Sequence, residues 1–146
     1  MSDAMKIALT SALTILGGVI VFTLGQLIER FYIDPVHKLF LLIGEIADSL
    51  TFYAQYYSSP GLLDRAGMDE AQRVLRQHAS QLRARSHAVR ALGLWNEIGL
   101  LPSRTALTNA STNLIGLSNS IHDGDPHRND ETVAAIEQAL DIEIPR

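Results

Sequence analysis

Residues 7–28 form a run of 22 positions that contains no charged side chain, with Lys6 before it and Glu29 after it. A helix of that length is about 33 Å long, which matches the hydrocarbon thickness of a bilayer. Leu, Ile, Val and Phe make up most of the run, and each favours insertion. The run predicts one N-terminal transmembrane helix, at residues 7–30, after a short tail at residues 1–6.

A cleaved signal peptide and a buried soluble helix are the alternatives to a permanent anchor. The apolar core of a signal peptide usually has about 7–15 residues and ends in a small-x-small cleavage site. This run is longer, and its exit at residues 25–30 (GQLIER) lacks such a site. A buried soluble helix would carry polar residues along one face, whereas only Thr, Ser and Gln interrupt this run. We therefore favour the anchor.

The basic residues near the run predict its orientation in the membrane. Lys6 stands before the span, and Arg30 and Lys38 follow it. Lys and Arg are enriched in the cytoplasmic segments next to membrane spans. Two cations against one therefore favour a cytoplasmic C-terminal domain.

Small side chains recur along one side of the predicted span. Ser11, Gly18 and Gly25 are spaced by seven residues, and Thr14 follows Ser11 by three. Small residues on one stripe allow helix backbones to approach closely in a membrane. These four residues predict a helix-packing face through which the chain forms a homo-oligomer. The alternative is that Gly and Thr are simply common in membrane spans.

The remaining sequence predicts a bundle of about four helices at residues 34–146, so the fold class is all-α. Asp34-Pro35 marks the start of a helix, because Asp is a common N-cap and Pro a common first helical residue. Glu45 and Asp48 argue against a second span there. Three further helices are predicted at residues 69–92, after a loop around Gly67, at residues 103–122, and at residues 130–141.

Helical spacing of apolar residues also predicts which sides of two helices face the core. For the helix that begins at Asp34 these are Leu39, Leu42, Ile43, Ile46, Leu50 and Tyr53. For the next helix they are Leu75, Ala79, Leu82 and Val89, with Ser86 in the same row.

A basic face is predicted on the helix at residues 69–92. Between Arg73 and Arg90 the chain has five arginines, two histidines and no acid. Arg76, Arg83 and Arg90 repeat at seven residues, with Arg73 one turn earlier, and such a face needs an anionic partner. Anionic lipid headgroups and nucleic acid are two alternatives. We favour the acidic residues of positions 123–143, in the same chain or in another subunit, because that pairing requires no ligand.

No residue pattern predicts catalysis, a cofactor or a metal site. The chain has no cysteine, which excludes disulfides, thiolate nucleophiles and thiolate metal ligands. His122, Asp123, Asp125 and His127 are metal-ligand types within six residues, but they also suit a plain turn. A nucleophile–base pair and a phosphate-binding glycine loop are both missing from the sequence.

Three segments, together with Gly17-Gly18 in the span, resemble small bacterial membrane proteins with one span and a C-terminal helical domain. The segments are residues 82–84 (LRA), 99–103 (GLLPS) and 113–121 (NLIGLSNSI). The resemblance implies the bacterial inner membrane and assigns no functional residue. The Arg-x4-His spacing of Arg73 and His78 is similar to that of HEPN-type ribonucleases. With the membrane architecture, it also resembles the HEPN-like, pore-assembling accessory protein of RNA-targeting CRISPR systems.

These observations predict a membrane-anchored interaction or scaffold protein that self-associates and binds a protein partner. An oligomeric effector that permeabilises the membrane, as in bacterial defence or lysis, is the alternative. A HEPN-like ribonuclease ranks third.

Overall fold

A computed structural model describes residues 2–145 of the chain. Within them the chain forms α1 (Asp3–Ile28), a π turn (Glu29–Ile33), α2 (Asp34–Phe52), α3 (Ala54–Ser58), α4 (Arg65–Ala88), α5 (Leu92–Glu97), α6 (Arg104–Ser120) and α7 (Pro126–Leu140). No strand occurs in this part of the chain. The predicted all-α class, an apolar N-terminal helix followed by a helical bundle, is confirmed.

The first three elements are continuous and form one helix from Asp3 to Phe52, which we call the long helix. Its N-terminal part is long and apolar enough to cross a membrane. No residue of α1 is buried against the rest of the chain. A helix that served as the core of a soluble domain would instead be covered by its neighbours.

The π turn is located where Pro35 enters the helix. Proline has no N–H to donate, and its ring collides with the carbonyl of the residue four positions earlier, here Phe31. A wider turn relieves this crowding, and the Asp34 N–H bonds to the carbonyl of Glu29, five residues earlier. The α-helix therefore resumes at Asp34, as the sequence predicts. The predicted role of Asp34 as the N-cap of a separate helix is wrong. Asp34 is itself helical, and its carboxylate binds Lys38 Nζ at 2.7 Å.

The core lies between α2, α4, α6 and α7, which pack in that order. The predicted core positions of α2 are buried, except that Tyr53 is only partly buried. The predicted row of the next helix is buried as well, from Leu75 to Val89 and including Ser86. Core-forming residues of α6 and α7 complete the interior: Leu107, Leu114, Leu117, Val133, Ile136 and Leu140.

Both predicted ends of the basic helix are wrong by about one turn. The helix begins at Arg65, because the Asp64 carboxylate accepts a hydrogen bond from the Gly67 N–H at 2.7 Å. Gly67 is thus inside the first turn, where the Tyr56 ring packs so closely that a Cβ would collide with it. At the other end the helix stops at Ala88, and Ala91 adopts a left-handed conformation with φ 53°.

The last two helices begin at capped positions. Ser103 Oγ accepts a hydrogen bond from the Ala106 N–H at 3.1 Å, which confirms the predicted cap of α6. The predicted start of α7 at Asp130 is wrong, because Asp125 caps this helix and Pro126 occupies its first position.

Candidate functional site

The small-residue face, which consists of Ser11, Thr14, Gly18 and Gly25, lies on the exposed surface of α1. Apart from the adjacent residues and backbone of α1 itself, no atom lies within 4 Å of the place where a Cβ would stand at Gly18 or Gly25. The described part of the chain therefore leaves this face uncovered and open to a second helix.

The three threonine hydroxyls of α1 are bonded within the helix itself. Thr10 donates to the Lys6 carbonyl at 2.9 Å, Thr14 to the Thr10 carbonyl at 2.9 Å, and Thr23 to the Val19 carbonyl at 2.8 Å. Since these donors are satisfied, the surface around them is compatible with lipid or with another apolar helix. Contact between this face and a second helix would therefore depend on close approach of the two backbones.

The π turn sets the direction in which the small-residue face points relative to the bundle. It absorbs about one residue, which rotates α1 by about 100° relative to an unbroken α-helix. Gly25 and Gly44 are 19 residues apart. With one residue absorbed, 18 remain, which is five full turns at 3.6 residues per turn. Gly44 therefore continues the line of Gly25. Without the π turn, Gly25 would lie about 40° from the buried Leu39.

Outside the predicted span, this line meets an exposed apolar surface on α2, which we call the outer patch: Phe40, Leu41 and Gly44. Phe40 is 60% exposed, although large aromatic side chains are usually covered. A groove of about 820 Å³ lies beside the outer patch, and Ala139 and Ile142 line its other wall. The small-residue face and the outer patch form one continuous strip along the long helix.

The four arginines predicted to share one face make different contacts in the structure. Arg73 binds the carboxylate of Glu70, with Nη2 2.6 Å from Oε1. Arg76 donates to the side-chain oxygen of Asn119. The Arg83 side chain is exposed, and the described residues provide its guanidinium with no hydrogen-bond or ion-pair partner. The inclusion of Arg90 is wrong, because α4 ends two residues before it.

Arg90 instead contacts the long helix. Its guanidinium carbon lies 5.5 Å from the ring centroid of Phe31, in the range of a cation–π contact. Arg85 also reaches α2 and donates to the Lys38 carbonyl at 2.7 Å. The C-terminal end of α4 is thus held beside the π turn.

Within residues 2–145, no arginine of α4 forms an ion pair with the acidic residues of positions 123–143. Asp125 caps α7, and Glu131 lies 3.5 Å from His127. The favoured pairing is therefore not formed within the described chain. Pairing of these arginines with the acidic residues of another subunit stays a prediction.

The HEPN-like pair is not assembled. His78 is half-buried against α2, where its Nε2 lies 2.8 Å from Ser49 Oγ, whereas Arg73 is exposed and bound to Glu70. Burial lowers the pKa of His78, Glu45 raises it, and Arg85 adds to the lowering. The Nδ1 atom of His78 is buried without a hydrogen-bond partner among the described residues.

The histidine- and aspartate-rich turn is occupied by structural contacts. His122 Nε2 lies 3.2 Å from an Asp69 carboxylate oxygen. Among residues 2–145, no three side chains of metal-ligand type come together. These contacts fit the plain-turn interpretation of the segment.

Asn129 is a buried polar residue that the sequence did not single out. Its amide nitrogen donates to the Tyr57 carbonyl at 2.8 Å, and its Oδ1 accepts from Ser120 Oγ at 2.5 Å. An Asn between Arg128 and Asp130 is typical of a surface turn, so the sequence carries no signal of this role.

No family model, curated protein or solved structure matches this chain. The resemblance to small bacterial membrane proteins and the likeness to HEPN-like proteins therefore stay predictions. Functional inference rests on the geometry of the long helix and the bundle.

Proposed function

We propose that this chain is a membrane-anchored interaction protein that self-associates along the long helix. The observation that carries the proposal is the continuity of two uncovered surfaces. The small-residue face of α1 and the outer patch of α2 lie in line because of the π turn. A second copy in parallel orientation would cover both surfaces at once.

The two surfaces would contribute to association in different ways. Inside lipid there is no hydrophobic driving force between helices, so close packing at Gly18 and Gly25 supplies the contact there. Outside lipid, Phe40 and Leu41 would leave water on association, and full burial of such a side chain is worth about 1.5–3 kcal/mol. Stability would thus come mainly from the outer patch, and the glycines would set the helix spacing.

We further propose that α1 spans the bacterial inner membrane and that the bundle is cytoplasmic. The anchor is supported by the complete exposure of α1, and the orientation by Arg30 and Lys38 after the span against Lys6 before it. The far wall of the groove, at Ala139 and Ile142, would accept apolar side chains of a protein partner. The apolar lining of the groove from α2 and α7 supports this role.

The pore-forming effector is the less favoured function. An aqueous pore needs polar side chains that face water, and the threonine hydroxyls of α1 are bonded to their own helix. The ribonuclease is less favoured still, since His78 is bonded to Ser49 and Arg73 to Glu70.

The mass of the protein after purification in a mild detergent tests the proposal. We expect the protein to resist carbonate extraction from membranes and to run as a small oligomer in light scattering. A monomer at all concentrations contradicts self-association. Release of a dye from vesicles at low protein content would favour the pore-forming effector instead.

A further inference from the structure

The segment between α4 and α6 carries an exposed apolar surface next to the predicted membrane boundary. Leu94 and Ile98 are 64% and 65% exposed. They are four residues apart, so they lie on the same side of the short helix α5 and its end. Trp95 is partly buried and, with Ile33 and Phe40, lines an apolar cleft beside α2.

The contact of Arg90 with Phe31 indicates how far Arg90 lies beyond the end of the span, measured along the helix axis. The Arg90 guanidinium stacks on Phe31, which is three residues beyond Ile28, the last residue of the uncharged run. Three residues of helix correspond to about 4.5 Å along the axis. The headgroup layer on each side of the hydrocarbon core is about 5–7 Å thick. Arg90 is therefore at the level of the headgroups if the uncharged run fills the core.

The charges on this side of the bundle favour an anionic surface. Arg90, His87 and Arg104 are all exposed, and an Arg104 guanidinium nitrogen lies 3.4 Å from His87 Nδ1. Glu97 is the acid of α5. Cations close to an anionic bilayer surface are attracted to it. Exposed aliphatic side chains next to basic ones are typical of segments that lie in the membrane interface.

We propose that residues 89–99 form a second contact with the bilayer, in the plane of the headgroups. Leu94 and Ile98 face the headgroup layer, and Arg90 pairs with lipid phosphate. Trp95 lies between this surface and α2, in keeping with the enrichment of Trp at membrane interfaces.

This inference rests on the proposed crossing of the membrane by α1 and is independent of self-association. It predicts a bundle held against the membrane at two points, the span and α5. A second copy covering Leu94 and Ile98 is the alternative occupant.

Trp95 provides the readout, because it is the one tryptophan of the chain. The full-length protein is placed in vesicles of phosphatidylcholine and phosphatidylglycerol that carry a quencher attached to the lipid headgroup. We expect strong quenching of the Trp95 emission by this lipid and little quenching by iodide in water. The double variant Leu94→Gln/Ile98→Gln should lose most of the lipid quenching.

A matched control uses an apolar side chain far from the membrane end. Leu62 is 82% exposed in the loop that precedes α4, and Leu62→Gln should leave the quenching unchanged. Arg90→Gln should reduce the effect of salt on quenching, since salt screens exposed charges and Arg104 remains.

Two results would overturn the inference. The first is a protein that resists carbonate extraction while its Trp95 is quenched by iodide and not by the lipid. The second is Trp95 shielding that disappears when the protein is diluted at constant lipid, which would assign the surface to a second copy. A change in oligomeric mass without a change in quenching would concern the proposed self-association alone.

Discussion

The buried amide of Asn129 donates a hydrogen bond to the backbone carbonyl of Tyr57, 72 residues earlier in the chain. The Tyr57 hydroxyl in turn donates to the Leu50 carbonyl at 3.0 Å. These bonds connect α7 to α3 and α3 to the end of α2. The end of the bundle distant from the span is therefore held by buried polar contacts as well as by apolar packing.

Replacing Asn129 with Ala should lower the free energy of unfolding by about 1–3 kcal/mol, because a buried hydrogen bond between α7 and α3 is lost. Urea denaturation of the full chain in detergent, followed by circular dichroism, measures this change. Asn109→Ala is the control, since Asn109 is exposed on α6 and its loss should cost less than about 0.5 kcal/mol. Equal effects of the two variants would remove the role assigned to Asn129.

Gly18→Ile should weaken self-association, because a branched side chain on the small-residue face keeps two helices apart. Gly17→Ile introduces the same side chain about 100° around the helix and should leave association nearly unchanged. Crosslinking in membranes and light scattering in detergent compare the two variants. If both variants associate alike, the small-residue face is not the contact.

Stability should depend on pH through His78. Burial lowers its pKa below the ordinary 6.5, with a further lowering from Arg85, against a raising effect of Glu45. Between the lowered pKa and about 6.5 the unfolded chain binds more protons than the folded chain. The free energy of unfolding is therefore at its full value above pH 6.5 and decreases as the pH falls through this window.

Melting temperatures of the wild type and of His78→Gln from pH 8 to pH 5 isolate this contribution. The difference between the two proteins should change as the pH falls below 6.5, to the disadvantage of the wild type. A difference that is constant over this range would show that His78 has a similar pKa in the folded and unfolded chains.

Arg83→Glu should change the free energy of unfolding of the monomer by less than about 0.5 kcal/mol, because the Arg83 guanidinium is exposed and lacks a partner among the described residues. Leu82→Ala, at the neighbouring buried position, should lower it by about 2–5 kcal/mol and shows that the assay responds. Loss of oligomeric mass in Arg83→Glu, at unchanged monomer stability, would support pairing with the acidic residues of a second subunit.

The sequence was sufficient to predict the core of α2 and α4, because Leu39 to Leu50 and Leu75 to Leu82 recur with the period of a helix. It was not sufficient for α3 and α5, which have five and six residues and show too little periodicity. Nothing in the sequence indicates that Ala91 adopts a left-handed conformation, so the end of α4, and with it Arg90, was misplaced.

The alignment of the small-residue face with the outer patch could not be predicted from the sequence either. Pro35 is compatible both with a capped new helix and with a π turn inside a continuous one, since either removes the demand for its N–H. Only the π turn inside a continuous helix aligns Gly25 with Gly44. The small-residue face was predictable from spacing, whereas its continuation at Phe40 depends on a rotation that local sequence does not determine.

The continuity of the helix from Asp3 to Phe52 makes the bundle a rigid extension of the span. From Glu29 to Phe52 the helix extends 24 residues, or about 36 Å, beyond the uncharged run. A tilt of about 20° moves the far end of this helical segment sideways by about 12 Å. Because a thinner bilayer forces a span to tilt further, changes in bilayer thickness are converted into lateral displacement of the domain.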